Sequence, residues 1–158
     1  MNELVLHRTD SKNPDFIAMV ALLDADLAER DGEDNKFYAQ FNRIDALKHA
    51  LVGYYDGIAV ACGAIKPFDT AAMEVKRMYV VPAFRGKGIA TGILKELEQW
   101  AKELDFEKCV LETGKRQPEA IALYRKNGYS VIPNYGQYQG VENSVCFQKN
   151  VSYNPKPI

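Results

Sequence analysis

The chain has 158 residues, 47% of them hydrophobic and 26% charged, with a formal net charge of −1. That length is one ordinary domain, able to bury a core without cross-links, and the mix excludes a disordered chain or a membrane-embedded one. The balanced charge excludes a whole-protein attraction to nucleic acid or anionic lipid, so neither is an expected partner and any bound anion needs local positive potential. The opening residues lack the basic start and apolar core of a signal peptide, and no apolar run is long enough to span a bilayer. Cys62, Cys109 and Cys146 are an odd set without metal-ligand spacing, and two of them fall in β-like apolar stretches. Free, buried, inert thiols are the expectation for those two, Cys62 and Cys109, with the cytoplasm as the compartment and no metal site.

Along the chain, Glu3 to Arg8 alternates as a first strand. Asn13-Pro14 opens a helix, with Asn13 as cap and proline in the first turn, and Phe16, Ile17, Val20, Leu23 and Leu27 share one face. A short second helix is expected between Arg30 and Leu47. His49–Tyr55 and Ile58–Ile65 are β-rich runs joined by Asp56-Gly57, which predicts a hairpin. A further strand, Met73 to Val81, stops at Pro82. Ile89, Ile93, Leu94, Leu97, Trp100, Ala101 and Leu104 then mark the stripe of a long helix. Lys108–Glu112 reads as a strand buried on both faces, Pro118–Lys126 as a helix stopped by Asn127-Gly128, and Tyr129–Ile132 and Ser144–Lys149 as closing strands. No repeat or linker divides the chain, so residues 1–153 are expected to form one α/β (α+β) domain, with 154–158 as a frayed tail.

The segment Val80-Val81-Pro82-Ala83-Phe84-Arg85-Gly86-Lys87-Gly88-Ile89-Ala90 puts a short loop between a strand and a long helix. Helix N-termini offer unpaired N–H groups and partial positive charge, which suits a phosphate or pyrophosphate. Gly86 and Gly88 allow close backbone approach, and Arg85 and Lys87 supply the local charge that the net composition lacks. A glycine-bearing turn with solvated basic residues is the plain alternative. The order of a nucleotide-triphosphate loop is absent, and Thr91 stands where a dinucleotide loop needs its last glycine.

Arg85-Gly86-Lys87-Gly88-Ile89-Ala90 resembles the Arg/Gln-x-x-Gly-x-Gly/Ala signature of the GNAT superfamily of N-acetyltransferases. Downstream, Ala120-Ile121-Ala122-Leu123-Tyr124-Arg125-Lys126-Asn127-Gly128-Tyr129 is similar to that family's helix ending in Leu-Tyr, followed by a basic stretch and Gly-Phe or Gly-Tyr. The two motifs stand at the family's separation, with a strand and helix between them, and the resemblance covers Glu74 to Tyr129. It implies a mixed, mostly antiparallel sheet of six or seven strands, helices on both faces and a splayed central strand pair. It also implies acetyl-CoA as co-substrate and a primary amine as acceptor.

By the same resemblance, Met78, Tyr79 and Val80 would pair with the pantetheine arm, and the Val80 N–H would polarise the thioester carbonyl. Backbone N–H groups from Arg85 through Gly86, Lys87, Gly88, Ile89 and Ala90 would hold the pyrophosphate. Tyr124 matches the tyrosine that protonates the departing thiolate, its alternative being an ordinary packed helix tyrosine. Gln117 stands where the family often has an asparagine touching pantetheine, and keeps the amide with one more methylene. Glu74 resembles the base position of some members, against the plainer reading of a solvated edge residue beside Lys76. Glu112 is its rival and a candidate substrate contact. Alternation would put Glu74, Lys76 and Met78 on one face and Val75, Arg77 and Tyr79 on the other. From there Arg77 could bind a substrate carboxylate or simply form an ion pair.

The acceptor side would be built from Asp31–Lys36, Phe37, Tyr38 and Tyr135-Gly136-Gln137-Tyr138, a mixture that suits a small polar amine. Acetylation of protein lysines or N-termini, and an acyl-CoA-binding module without turnover, are the alternatives; a dinucleotide-dependent oxidoreductase is a distant one. Homodimers are common in the family, though nothing in the residues shows one here. His7 and His49 lie outside both motifs and read as structural or surface residues.

Overall fold

The computed structural model describes residues 3–31 and 46–152. The expected helix between 30 and 47, the acceptor-side stretch 32–38 and the tail 154–158 lie outside the described residues. The chain enters as β1 (Leu4–Thr9) and crosses into α1 (Pro14–Asp31). Asn13 Oδ1 accepts the N–H groups of Asp15 (2.8 Å) and Phe16 (3.3 Å), the capping that its sequence position predicts. Then come β2 (His49–Tyr55) and β3 (Ile58–Pro67). Asp56 and Gly57 between them both have positive φ, 51° and 80°, as the tight right-twisting hairpin turn requires.

Next are β4 (Ala72–Val80), a 3-10 turn at Pro82–Phe84, α2 (Ile89–Glu103), β5 (Lys108–Gly114) and α3 (Pro118–Lys126). The end of α3 is closed by Gly128 N–H to Arg125 O (3.1 Å) and Tyr129 N–H to Tyr124 O (3.0 Å), the paired bonds of a Schellman stop. A short β6 (Ser130–Ile132), a 3-10 turn at Gly136–Tyr138 and β7 (Ser144–Asn150) finish the chain.

All seven strands form one sheet in the order β1-β2-β3-β4-β5-β7-β6. Every pairing is antiparallel except β4 with β5. One face carries α2 and α3 over a cluster that includes Ile93, Leu94, Leu97, Leu111, Tyr124 and Phe147. The other carries α1, through Phe16, Met19 and Val20 against Ala50, Val52 and Cys62. Within α1, Met19 is buried at the core while Ile17 is 43% exposed, which corrects the apolar face read from the sequence. Arg8 ties β1 to α2, with Glu96 at 2.8 Å, Glu103 at 2.8 Å and the Trp100 ring centroid at 4.8 Å.

Candidate active site

The parallel pairing of β4 with β5 covers only Ala72↔Lys108, Met73↔Cys109 and Glu74↔Val110. Both strands continue, to Val80 and Gly114, so they part beyond Glu74 and Val110 and leave a gap in mid-sheet. On its other edge β4 stays paired with β3, where Val81 N–H donates to Val60 O at 2.9 Å. Antiparallel pairs alternate, so the neighbouring Ala61/Val80 pair is not hydrogen-bonded and the Val80 N–H turns away from β3, into the gap. The Val80 carbonyl accepts from Arg85 Nε at 2.9 Å, which fastens the loop to the strand end.

A bulge precedes that point. Arg77 and Met78 together stand opposite Gly63 alone, and Arg77 has φ 62°. The left-handed region costs a residue with a Cβ about 1–2 kcal/mol. The extra residue corrects the simple alternation: Met78 joins Val75 and Val80 against the α2-side cluster, while Tyr79 packs on the α1 side. Arg77 also reaches α1, its Nη1 3.4 Å from Asp24 Oδ1.

On the α2–α3 side the gap opens into a cleft of about 560 Å³. Met78, Tyr79 and Val80 line it from the strand, and Arg85, Gly86 and Gly88 from the loop. Ile89 and Ala90 line it from α2, and Gln117 and Tyr124 from α3. The first bond of α2 is Gly92 N–H to Gly88 O, 3.1 Å, so the N–H groups of Ile89, Ala90 and Thr91 have no acceptor within the helix. Gly88 at the cap contributes no side-chain bond, and the first turn holds no acidic residue. This leaves a positive, uncapped helix end beside the cleft.

Gly86 and Gly88 have φ 78° and 80°, with open space where a Cβ would stand. Backbone conformation, rather than crowding within the protein, requires glycine there. One expectation needs correction: Arg85 N–H donates to Pro82 O at 3.2 Å, so the donors that can face an anion begin after Arg85. The Lys87 side chain does not line the cleft; its Nζ sits 5.5 Å from the Phe84 ring centroid.

On the α1 side a smaller cavity, about 120 Å³, is bounded by Leu23 and Leu27 of α1 and by Glu74, Lys76, Arg77 and Glu112 of the parted strands. Met78, Gln117 and Tyr124 line both spaces, so the two meet at the gap. Glu74 is 7% exposed, which removes the solvated-edge reading. Its Oε2 accepts from Tyr135 Oη at 2.7 Å, and Lys76 Nζ lies 3.8 Å from Oε1. Glu112 Oε2 accepts from Ser144 Oγ at 2.7 Å.

Burial pushes the Lys76 ammonium down, with the Glu74 charge opposing it. Burial, aided by the Glu112 charge, pushes the Tyr124 phenol well above its ordinary value, so it stays protonated. The Tyr135 phenol moves the same way, through burial first and then Glu74. Asp24 is raised by burial despite the pull of Arg77.

The fourteen residues singled out from the sequence thus fall on the segment from Glu74 to Tyr124, and all but Lys87 border one space or the other. The sequence assigned Lys76 no role beyond that of Glu74's neighbour, and passed over Asp24 and Ser144. Lys76 carried a signal, two places from Glu74 on one strand; Asp24 and Ser144 carried none, because only the fold brings α1 and β7 to β4 and β5. His7 is exposed and His49 packs edge-on to Trp100 at 4.9 Å, away from both spaces. Among the described residues no His/Cys/Asp/Glu group could hold a metal.

A model of the acetyltransferase (GNAT) family matches residues 16–129. An IAA acetyltransferase of Azospirillum brasilense is 41% identical over 90 residues, 56% of this chain and 58% of that protein. The chain spans about half the length of the curated relatives it matches. The crystal structure of a Klebsiella pneumoniae protein, described as an acyl-CoA N-acyltransferase, is similar at TM-score 0.79 and 31% identity, covering 94% of this chain and 97% of that one. A GNAT family acetyltransferase from Elizabethkingia anophelis, solved with acetyl-CoA bound, shares the fold at TM-score 0.67 and 18% identity, covering 93% of this chain and 97% of that one. Sheet order, parted strands, glycine loop and sequence similarity agree, and the chain belongs to the acetyltransferase (GNAT) family.

Proposed function

We propose that the protein transfers the acetyl group of acetyl-CoA to a primary amine of a small polar metabolite, in a ternary complex. The observation that carries this reading is the gap between β4 and β5, which joins a cleft at an uncapped helix end to a polar cavity, with Tyr124 at their meeting. The residues fit the co-substrate: the open left-handed glycine loop and the unpaired N–H groups of α2 suit a pyrophosphate, and the exposed edge of β4 suits the pantetheine amides. Bound there, acetyl-CoA supplies an activated acyl group. Gln117, on the border of both spaces, is the side-chain amide contact to the arm.

The amine enters from the α1 side, where Glu74 takes its proton and Glu112 orients the ammonium before that step. Arg77 binds a carboxylate on the acceptor, with Asp24 at its other side. Nitrogen bonds to the acetyl carbon, the Val80 N–H steadies the charge growing on the carbonyl oxygen, the C–S bond breaks, Tyr124 gives its proton to sulfur, and the surplus proton on the newly bonded nitrogen restores the Tyr124 phenol. Lining charges of both signs, in a space of about 120 Å³, support a small acceptor over a protein tail. One sheet from residue 4 to residue 150 supports a single catalytic domain, and three buried free cysteines support a reducing compartment such as the cytoplasm.

Thermal unfolding with and without acetyl-CoA, with NAD and ATP as controls, tests the donor. The expected result is a concentration-dependent rise with acetyl-CoA alone. Thiol release with a panel of small amines then tests the acceptor. No shift at saturating acetyl-CoA removes the proposal.

A further inference from the structure

We propose that Cys62 and Gly63 of β3 are positioning residues that build the β4 bulge, and through it set both halves of the site. A bulge takes one backbone carbonyl out of the ladder, and a buried carbonyl needs another donor. Here the Cys62 thiol donates to Arg77 O, with Sγ 3.1 Å from the oxygen, from a residue with no solvent exposure. Burial pushes that thiol up to about 12, against a smaller pull from Arg77, so it keeps the proton it donates.

Gly63 supplies the space. A Cβ there would lie 2.7 Å from Ile93 Cγ2, 2.9 Å from Met78 Sδ and 3.0 Å from Leu97 Cδ1. Met78 therefore occupies the volume that any other residue at 63 would fill, and can turn to the α2 face only because glycine stands opposite. The same extra residue sends Arg77 to the α1 face and resets the alternation that aims the Val80 N–H into the gap. One thiol and one missing side chain, both outside the acetyltransferase signature, thus orient a donor-side amide and an acceptor-side guanidinium together.

The catalytic half of this inference rests on the Val80 role proposed above; the structural half does not. Hydrogen exchange of the 75–81 segment, read in Cys62→Ala and Cys62→Ser variants, tests the structural half without any substrate. We expect exchange in that segment to rise about tenfold in C62A, with the rest of the sheet unchanged, and to stay within about twofold in C62S, whose hydroxyl can replace the thiol. Unchanged exchange in C62A overturns the inference, as does equal disruption in C62S, which would assign the effect to packing alone.

Turnover of acetyl-CoA with an amine from the panel separates the two readings. The expected split is a kcat about tenfold lower in C62A, KM for acetyl-CoA within about twofold, and rescue by C62S. Raised exchange with unchanged kcat would leave the bulge device standing and remove the Val80 role. Gly63→Ala is the second probe: it should reproduce the kcat loss, and a G63A protein that folds with wild-type kcat overturns the part assigned to Gly63.

Discussion

The hydroxyl of Tyr135 donates a 2.7 Å hydrogen bond to Glu74 Oε2, joining the turn before β7 to the strand that borders the gap. Tyr135 is itself held, its ring 4.7 Å from Phe68 and 5.8 Å from Tyr138. The carboxylate is thus fixed by an element some sixty residues further along the chain. Tyr135→Phe keeps the ring and removes the bond, and should lower kcat about tenfold. Glu74→Gln should cost about a hundredfold or more. Neither should change acetyl-CoA affinity, since neither residue borders the cleft. Steady-state kinetics checks both, and a Y135F enzyme indistinguishable from wild type removes the positioning role.

Tyr124→Phe should lower kcat by about 10- to 100-fold while coenzyme A binding, measured by calorimetry, stays within about twofold. Because burial and Glu112 push the phenol upward, Tyr124 keeps its proton past the usual tyrosine range. The rate should therefore show no loss from phenol ionisation between pH 7 and about 10. A descending limb centred below about pH 9 that disappears in Y124F would contradict this.

Gly88→Ala should weaken acetyl-CoA binding at least about tenfold, from left-handed strain of about 1–2 kcal/mol and from a methyl set where the phosphates approach. Lys87→Ala, outside the lining, should weaken it no more than about threefold. Equal losses at the two positions would mean that side-chain charge, rather than backbone shape, holds the anion.

Alkali should destabilise the fold in two stages. Cys62, Cys109 and Cys146 are pushed up to about 12, 12 and 11, in each case mainly by burial, from an ordinary value of 9.0. Tyr124, Tyr129, Tyr135 and Tyr138 are all raised above 10.0, again mainly by burial. Above the ordinary values the unfolded chain releases protons that the folded chain keeps, so folding stability falls as pH rises. Melting temperature should begin to drop past pH 9 and fall more steeply past 10. A level profile from pH 8 to 11 would show that these groups are not buried as described.

The same burial makes the thiols unreactive. A thiol reagent at pH 7.5 should label none of the three cysteines within minutes in the native protein, and all three in denaturant. Mass spectrometry reads the count. Rapid native labelling of Cys62 would also undercut its place behind the bulge.

Much of this was legible in the residues. Asn13-Pro14, Asp56-Gly57 and Asn127-Gly128 mark their elements because capping and turn chemistry act over a few neighbouring residues. The bounds of α3 came out as read for that reason. The stripe from Ile89 to Leu104 located α2 because its period is that of the helix itself. The glycine loop was readable because a left-handed turn ahead of an uncapped helix start restricts residue type locally.

What the chain by itself could not settle concerns partners far apart in sequence. Simple alternation misassigned Met78 because the bulge depends on Gly63 and on the Ile93 and Leu97 side chains packed over it. Glu74 looked like an edge carboxylate beside Lys76 until β6–β7 brought Tyr135 against it. Local sequence determined which elements form and which loop can receive a phosphate, because those properties follow from nearest-neighbour dihedral and hydrogen-bond needs. Only the tertiary structure decided where β4 leaves β5 and which carboxylates, phenols and cations share the space beyond, because burial and long-range pairing exist only once the sheet has closed.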